Sequence, residues 1–381
     1  MLFDAENIVE QQPDSALRLL NTVLFPEDLN KSLFNKYNLL LLQAKDKSNK
    51  DITSDTVIFA VKEYYVQKKD YPNAALAAFY CGRVWHEQKN MENAANAYLG
   101  AIELAEKTNN YNLKGLIQGN LGILYREHLL CEKAIISSKK AVEMYDKSGN
   151  YRNKISAIRL IGDCFLLIEK TDSAFHYYNA SLKLADSCNI PEQQANVKKS
   201  MGVAYVEQGL YAQAKKLFNE ALAFPEDSVE QARILLNIAQ IYALENRTDS
   251  VKFYLDKVLT LQIQDPRLML SSSLLRSEIA EEEKNYPEAL KFYKEYYNYT
   301  IEVFDSEENN KLLELQEKYD FEKLIYSKKE SELKHQKALS LLFSALLITG
   351  MVFFVYYRKS AQDKRLILND HLKSRWIFKS N

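Results

Sequence analysis

Catalysis and metal binding need polar side chains that converge. The chain's five histidines, His86, His128, His176, His335 and His371, stand on separate stretches without ligand spacing. Four cysteines, Cys81, Cys131, Cys164 and Cys188, form no CxxC pair. They read as buried or half-buried thiols, and neither a zinc site nor a disulfide framework is expected. No GxSxG, HExxH, P-loop or GxGxxG sequence occurs. The acidic run Glu281-Glu282-Glu283 reads as the solvated end of a helix. No catalytic, cofactor-binding or metal-binding residue is assigned, so the expectation is a binding protein and not an enzyme. The residues that suit binding are Arg83, Arg126, Arg159, Lys199 and Arg233. A column of guanidinium and ammonium groups on one surface suits an acidic peptide or a C-terminal carboxylate. Asn120, Asp163 and Gln240 stand near enough in sequence to add hydrogen bonds.

What must position these residues is helix after helix. Ten Gly and seven Pro in 381 residues are few, and both residue types punctuate turns and sheets. The net charge of −1, with acids and bases interspersed, gives no global pull toward nucleic acid. Direct nucleic-acid binding is not expected. The first twenty residues lack the basic and apolar regions of a secretory signal. Either the repeats stay in the cytoplasm, or a signal lies upstream of this sequence.

Gly82, Gly122, Gly162 and Gly202 recur every forty residues. Three residues on from each stands an aromatic: Trp85, Tyr125, Phe165, Tyr205. Twelve on stands Ala94, Ala134, Ala174 or Ala214, and sixteen on stands Tyr98, Ser138, Tyr178 or Phe218. Nineteen on the residue is small again: Ala101, Ala141, Ser181, Ala221. These offsets fit antiparallel helix pairs in which glycine admits the second helix and aromatics fill the space between neighbouring repeats. Twenty-five tyrosines are then largely core.

The pattern resembles the tetratricopeptide repeat, lengthened from thirty-four residues by about a turn and a half. The expected fold is an all-α solenoid over residues 1–304, best formed over 75–222. Degenerate copies extend it through Ala239, Tyr242 and Leu255 downstream and through 13–20, 30–47 and 54–68 upstream. The resemblance implies that the first helix of each pair lines a groove, with the five basic residues at or near it.

Residues 305–337 form an expected long charged helix. Leu312, Tyr319, Tyr326 and Leu333 fall seven apart, but the other seam is mostly polar, so a dimeric coiled coil is one alternative and a single helix the other. Residues 338–357 carry no charge for twenty residues. That length spans a hydrocarbon core of about 30 Å, so one transmembrane helix is expected. A short basic tail, 358–381, follows. Six Lys/Arg precede the span and six follow it within twenty residues; the Arg358-Lys359 pair favours a cytoplasmic C-terminus.

This order of parts is similar to that of a group of Bacteroidetes membrane proteins with a PDSAL-like phrase (Pro13 to Leu17), tandem repeats, an LQEKYDFEK-like phrase (Leu315 to Lys323) and one membrane helix. The resemblance implies repeats that act as periplasmic sensors at the bacterial inner membrane. It also implies an output part, a LuxR-type helix-turn-helix or a histidine kinase, and the tail has no room for either. His371 stands without a kinase core. The expected function is a membrane-tethered sensory or scaffold protein of a signalling or transcription-regulatory system, with a protein or peptide partner. The alternative is a cytoplasmic tail-anchored adaptor unrelated to transcription.

Overall fold

The computed structural model describes residues 1–224, 227–303, 333–337, 339–340, 351 and 357–360. The chain divides into two compact units, Met1–Glu314 and Leu315–Asn381. Among the described residues there are helices and turns but no strand.

Helices of the first unit come in pairs. They are α1 (Leu2–Ile8) with α2 (Pro13–Leu20), α3 (Lys31–Lys47) with α4 (Val57–Lys68), α5 (Tyr71–Glu87) with α6 (Met91–Ala105), and α7 (Tyr111–Glu127) with α8 (Cys131–Ser148). Then follow α9 (Tyr151–Leu167) with α10 (Thr171–Ser187), α11 (Pro191–Glu207) with α12 (Tyr211–Leu222), and α13 (Ser228–Leu244) with α14 (Thr248–Thr260). The described part of the series ends with α15 (Pro266–Glu282) and helical backbone over 286–303, here α16. Each pair packs on itself, and the first helices α3, α5, α7, α9, α11, α13 and α15 also touch one another in succession.

The sequence sets where the first helices begin. Asn30, Asp70, Asn110, Asn150, Asp227 and Asp265 each accept a hydrogen bond from a first-turn backbone N–H. Ile190 has no such side chain, and there Pro191 at the first helical position presets the backbone.

The glycines mark how each pair closes. A Cβ on Gly82 would lie 2.4 Å from the Tyr98 ring, on Gly162 2.6 Å from Tyr178, and on Gly202 2.7 Å from Phe218. These three rings are wholly buried. Each lies against the bare backbone of the facing helix at the glycine, a contact worth roughly 1.5–3 kcal/mol per side chain in transfer alone. Two of the aromatics three residues after the glycine meet a ring of the preceding pair, Trp85 with Phe59 at 5.0 Å and Tyr205 with Phe175 at 4.8 Å between ring centroids, whereas Phe165 stacks on Tyr177 of its own pair at 5.3 Å.

The uncharged run 338–357 lies outside the described residues except for Leu339, Ser340, Met351 and Tyr357, and most of 305–337 and 358–381 lies outside them too. Among the described residues no helix is long and apolar enough to cross a membrane.

Candidate functional site: a charged groove along the first helices

Relative to the repeat glycines (Ala239 in the fifth copy), the five basic residues stand at different offsets. Arg83 is at +1, Arg126 at +4, Arg159 and Lys199 at −3, and Arg233 at −6. Positions −6, −3, +1 and +4 are three or four residues apart, so they share one face of a helix. The structure gathers four of the five. Arg126 (α7), Arg159 (α9), Lys199 (α11) and Arg233 (α13) line one groove of about 960 Å³. It runs from His86 on α5 to Asp265, Pro266 and Arg267 at the start of α15, and Glu302 and Val303 of α16 reach it as well. That volume lies within the usual range for a ligand site, about 300–1,000 Å³.

Arg83 stands outside this lining. Its Nε and Nη2 donate to Asp46 Oδ1 at 3.0 and 2.9 Å, and Nη2 also donates to Glu87 at 2.8 Å. Asn120 is turned to its own helix, donating to the Leu116 carbonyl at 2.9 Å. Gln240 is exposed away from the groove.

The groove is not a bare positive stripe. Its cations Lys89, Arg126, Arg159, Lys199, Arg233 and Arg267 are matched by Glu127, Asp163, Glu207, Glu230, Asp265 and Glu302. Two of these carboxylates are each shared by two cations. Asp163 Oδ2 accepts from Arg159 Nη1 at 2.8 Å and faces Arg126 Nη1 at 3.8 Å, while its Oδ1 accepts from the Tyr178 hydroxyl at 3.0 Å. Burial raises the Tyr178 pKa, so this hydroxyl stays a donor. Glu230 takes Lys199 Nζ on one oxygen and Arg233 Nε, at 3.3 Å, on the other. Both units join consecutive repeats, since Arg126 and Asp163 lie on α7 and α9 and Lys199 and Glu230 on α11 and α13. Arg159 Nη1 also donates to Ser200 Oγ at 3.2 Å, while its Nε is buried without a partner among the described residues.

At the other end of the groove, His86 Nε2 meets Glu127 Oε2 at 2.6 Å. An ionised carboxylate only accepts, so Nε2 carries the proton, and the Nδ1 atom is left buried and unpartnered among the described residues. Burial by itself would raise the Glu127 carboxyl, but the His86 hydrogen bond and charge, helped by Arg126 and Lys89, hold it below its ordinary value. Among the described residues no group of three His, Cys, Asp or Glu side chains could hold a metal ion. Cys131 and Cys164, thirty-three residues apart in sequence, share one apolar cluster as free thiols, and burial pushes Cys164 up to about 12.

The sequence reading named Asp163 among the groove's acids but not Glu127, Glu207, Glu230, Asp265 or Glu302, nor Tyr178, Ser200 and Asn237 in the lining. Asp163 and Glu230 occur at unrelated offsets, and only the stacking of repeats brings each to its second cation.

No family model and no curated protein matches the sequence. Solved structures resemble it in fold. A Rap protein complexed with competence and sporulation factor shares 16% identity at a TM-score of 0.59, over 80% of this chain and 98% of that one. NprR in complex with its cognate peptide NprX shares 19% at 0.55, over 82% and 91%. A signal-transduction ATPase with a tetratricopeptide repeat sensor, PH0952 from Pyrococcus horikoshii, shares 15% at 0.61, over 79% of this chain and 46% of that one. At these identities the likeness shows the fold alone: an all-helical repeat solenoid of the tetratricopeptide type.

Proposed function

We propose that the chain is a non-enzymatic, peptide-binding solenoid whose groove along the first helices receives an extended, acidic segment of a partner protein or peptide. Arg126, Arg159, Lys199 and Arg233 supply the cations; Arg83, engaged by Asp46 and Glu87, stands beside the groove as a fifth. The observation that carries the reading is that successive repeats deliver cationic side chains into one groove sized for a ligand. Two solved structures of similar fold are complexes, a Rap protein with competence and sporulation factor and NprR with its cognate peptide NprX. The uncharged run 338–357 and the charged stretch before it support a membrane-tethered sensory or scaffold role in a signalling system.

Selection of a displayed random peptide library on the full-length chain, purified in mild detergent, tests this. Peptides should be recovered whose binding weakens as salt rises, because exposed ion pairs are individually worth only about 0–1 kcal/mol and must act together. The triple variant Arg126→Glu, Arg159→Glu, Lys199→Glu should lose them at least tenfold. Recovery of no peptide sensitive to that reversal would refute the groove as the binding site.

A further inference from the structure

Asp163 and Glu230 make the groove more specific than a basic surface. Each is a single carboxylate held between two cations from neighbouring repeats, so within each cluster of three the cations outnumber the carboxylate two to one, while the groove as a whole is balanced. In the first cluster donors are left over, whereas in the second Lys199 Nζ also donates to Asn196 Oδ1 at 3.3 Å. Arg126 reaches Asp163 only at 3.8 Å, and Arg159 Nε is buried with no acceptor among the described residues. A planar guanidinium presents five N–H donors, so both arginines retain capacity for a second carboxylate. We propose, building on the peptide-binding reading above, that Arg126–Asp163–Arg159 and Lys199–Glu230–Arg233 are two carboxylate seats. In the free protein Asp163 and Glu230 act as internal competitors that a ligand carboxylate joins or displaces.

The spacing of the seats fixes a ruler on the ligand. The first seat lies between α7 and α9, the second between α11 and α13, two first-helix steps away. Packed helices stand about 8–10 Å apart, so the lateral separation is roughly 16–20 Å. The cations of the second seat sit about five residues lower on their helices than those of the first, a drop of about 7 Å at 1.5 Å per residue. The resulting span of about 20 Å is covered by about six residues of extended chain at roughly 3.3 Å each. The ligand is therefore an extended peptide with two carboxylates about six residues apart, as side chains or as one side chain and the C-terminus. Holding both ends makes the second contact intramolecular, so a correctly spaced pair gains far more than the sum of two exposed ion pairs.

The experiment uses fluorescein-labelled, end-blocked Gly/Ser peptides carrying two Glu six positions apart, two Glu two positions apart, one Glu, or none. Anisotropy is read with the full-length chain at low salt. The six-spaced peptide should bind at least tenfold tighter than the single-Glu peptide, with the two-spaced peptide near the latter. Asp163→Asn and Glu230→Gln should each tighten binding several-fold by removing the competitor, while Arg159→Ala and Arg126→Ala should weaken it about tenfold. Arg126→Ala guards against misfolding, since the Arg126 side chain's ion pair with Asp163 is long, at 3.8 Å. Equal affinity at both spacings, or weaker binding by Asp163→Asn with circular dichroism unchanged, would overturn the two-seat inference. If library selection instead yields peptides without acids that the triple reversal still abolishes, the groove reading stands and the ruler fails. With no groove-dependent peptide of any kind, both fall.

Discussion

Ser138 occupies the position at which three other repeats place a ring against a glycine, and its hydroxyl is buried without a partner among the described residues. The missing ring has not been lost. Tyr145, seven residues further along α8, lies on Gly115, where a Cβ would come within 2.6 Å of it, and its hydroxyl reaches the space beside Gly119. Gly115 is seven residues before Gly122. Two turns forward on one helix match two turns back on its antiparallel partner, so the same ring-on-glycine contact has slid along the pair. Leu160 of the next repeat then fills the gap beside Gly122. Tyr145→Ala should therefore destabilise the protein by about 3–5 kcal/mol, as for a buried aromatic that leaves a cavity. Ser138→Ala removes a hydroxyl that makes no hydrogen bond and should change stability by less than about 1 kcal/mol in either direction. Denaturant melts of the two variants decide it; a Ser138→Ala loss as large as that of Tyr145→Ala would show that the pair depends on position 138. The sequence reveals the glycine but not this exchange, because the ring of Tyr145 has no counterpart at its offset, where Ala105 and Ala185 stand in the neighbouring repeats.

Each tight turn within a pair carries one residue in the left-handed region, seven residues after the repeat position: Lys89 (φ 59°), Leu129 (φ 59°), Glu169 (φ 59°) and Gly209 (φ 71°), continued by Asn246 (φ 55°). Only Gly209 and Asn246 are residue types that adopt this conformation readily. The forty-residue period and its repeated small and aromatic offsets predict the helix pairs, so the element order could be read from the sequence. The strained turn position could not, because it is fixed by the geometry of the closure and not by residue type. Leu129 carries the largest mismatch, being apolar, 66% exposed and left-handed. Leu129→Asn should raise the stability by about 0.5–1 kcal/mol, part of the roughly 1–2 kcal/mol that left-handed backbone costs an ordinary side chain. A lowered melting midpoint would mean that the Leu129 side chain makes a contact worth more than the strain. The groove obeys the same division. The helical face at offsets −6 to +4 follows from sequence spacing, whereas the sharing of Asp163 and Glu230 depends on how far each first helix is shifted against the next.

At the scale of the whole molecule, what matters is where the groove is held. The two compact units part at Leu315, and the unbroken uncharged run 338–357 belongs to the second. As a helix, twenty residues at 1.5 Å each would extend about 30 Å, the thickness of a hydrocarbon core. A single Lys or Asp at the centre of such a helix would oppose insertion by about 2.5–3.5 kcal/mol, and none is present. Tyr356 and Tyr357 followed by Arg358 and Lys359 are the aromatic and basic residues that would border such a span. Full-length protein expressed in bacteria should therefore remain in the membrane pellet after alkaline carbonate extraction, and a chain ended at Lys337 should move to the supernatant. Leu346→Lys together with Gly350→Asp should release the full-length chain as well, since two central charges would raise the insertion free energy by about 5–7 kcal/mol. If full-length protein is stripped by carbonate, the run is not an integral anchor. If the chain ended at Lys337 still pellets, the first unit or the charged stretch has its own membrane affinity. Only the first result would relocate the groove: a tethered groove samples only partners at one membrane face, whereas a released one meets any acidic peptide in its compartment.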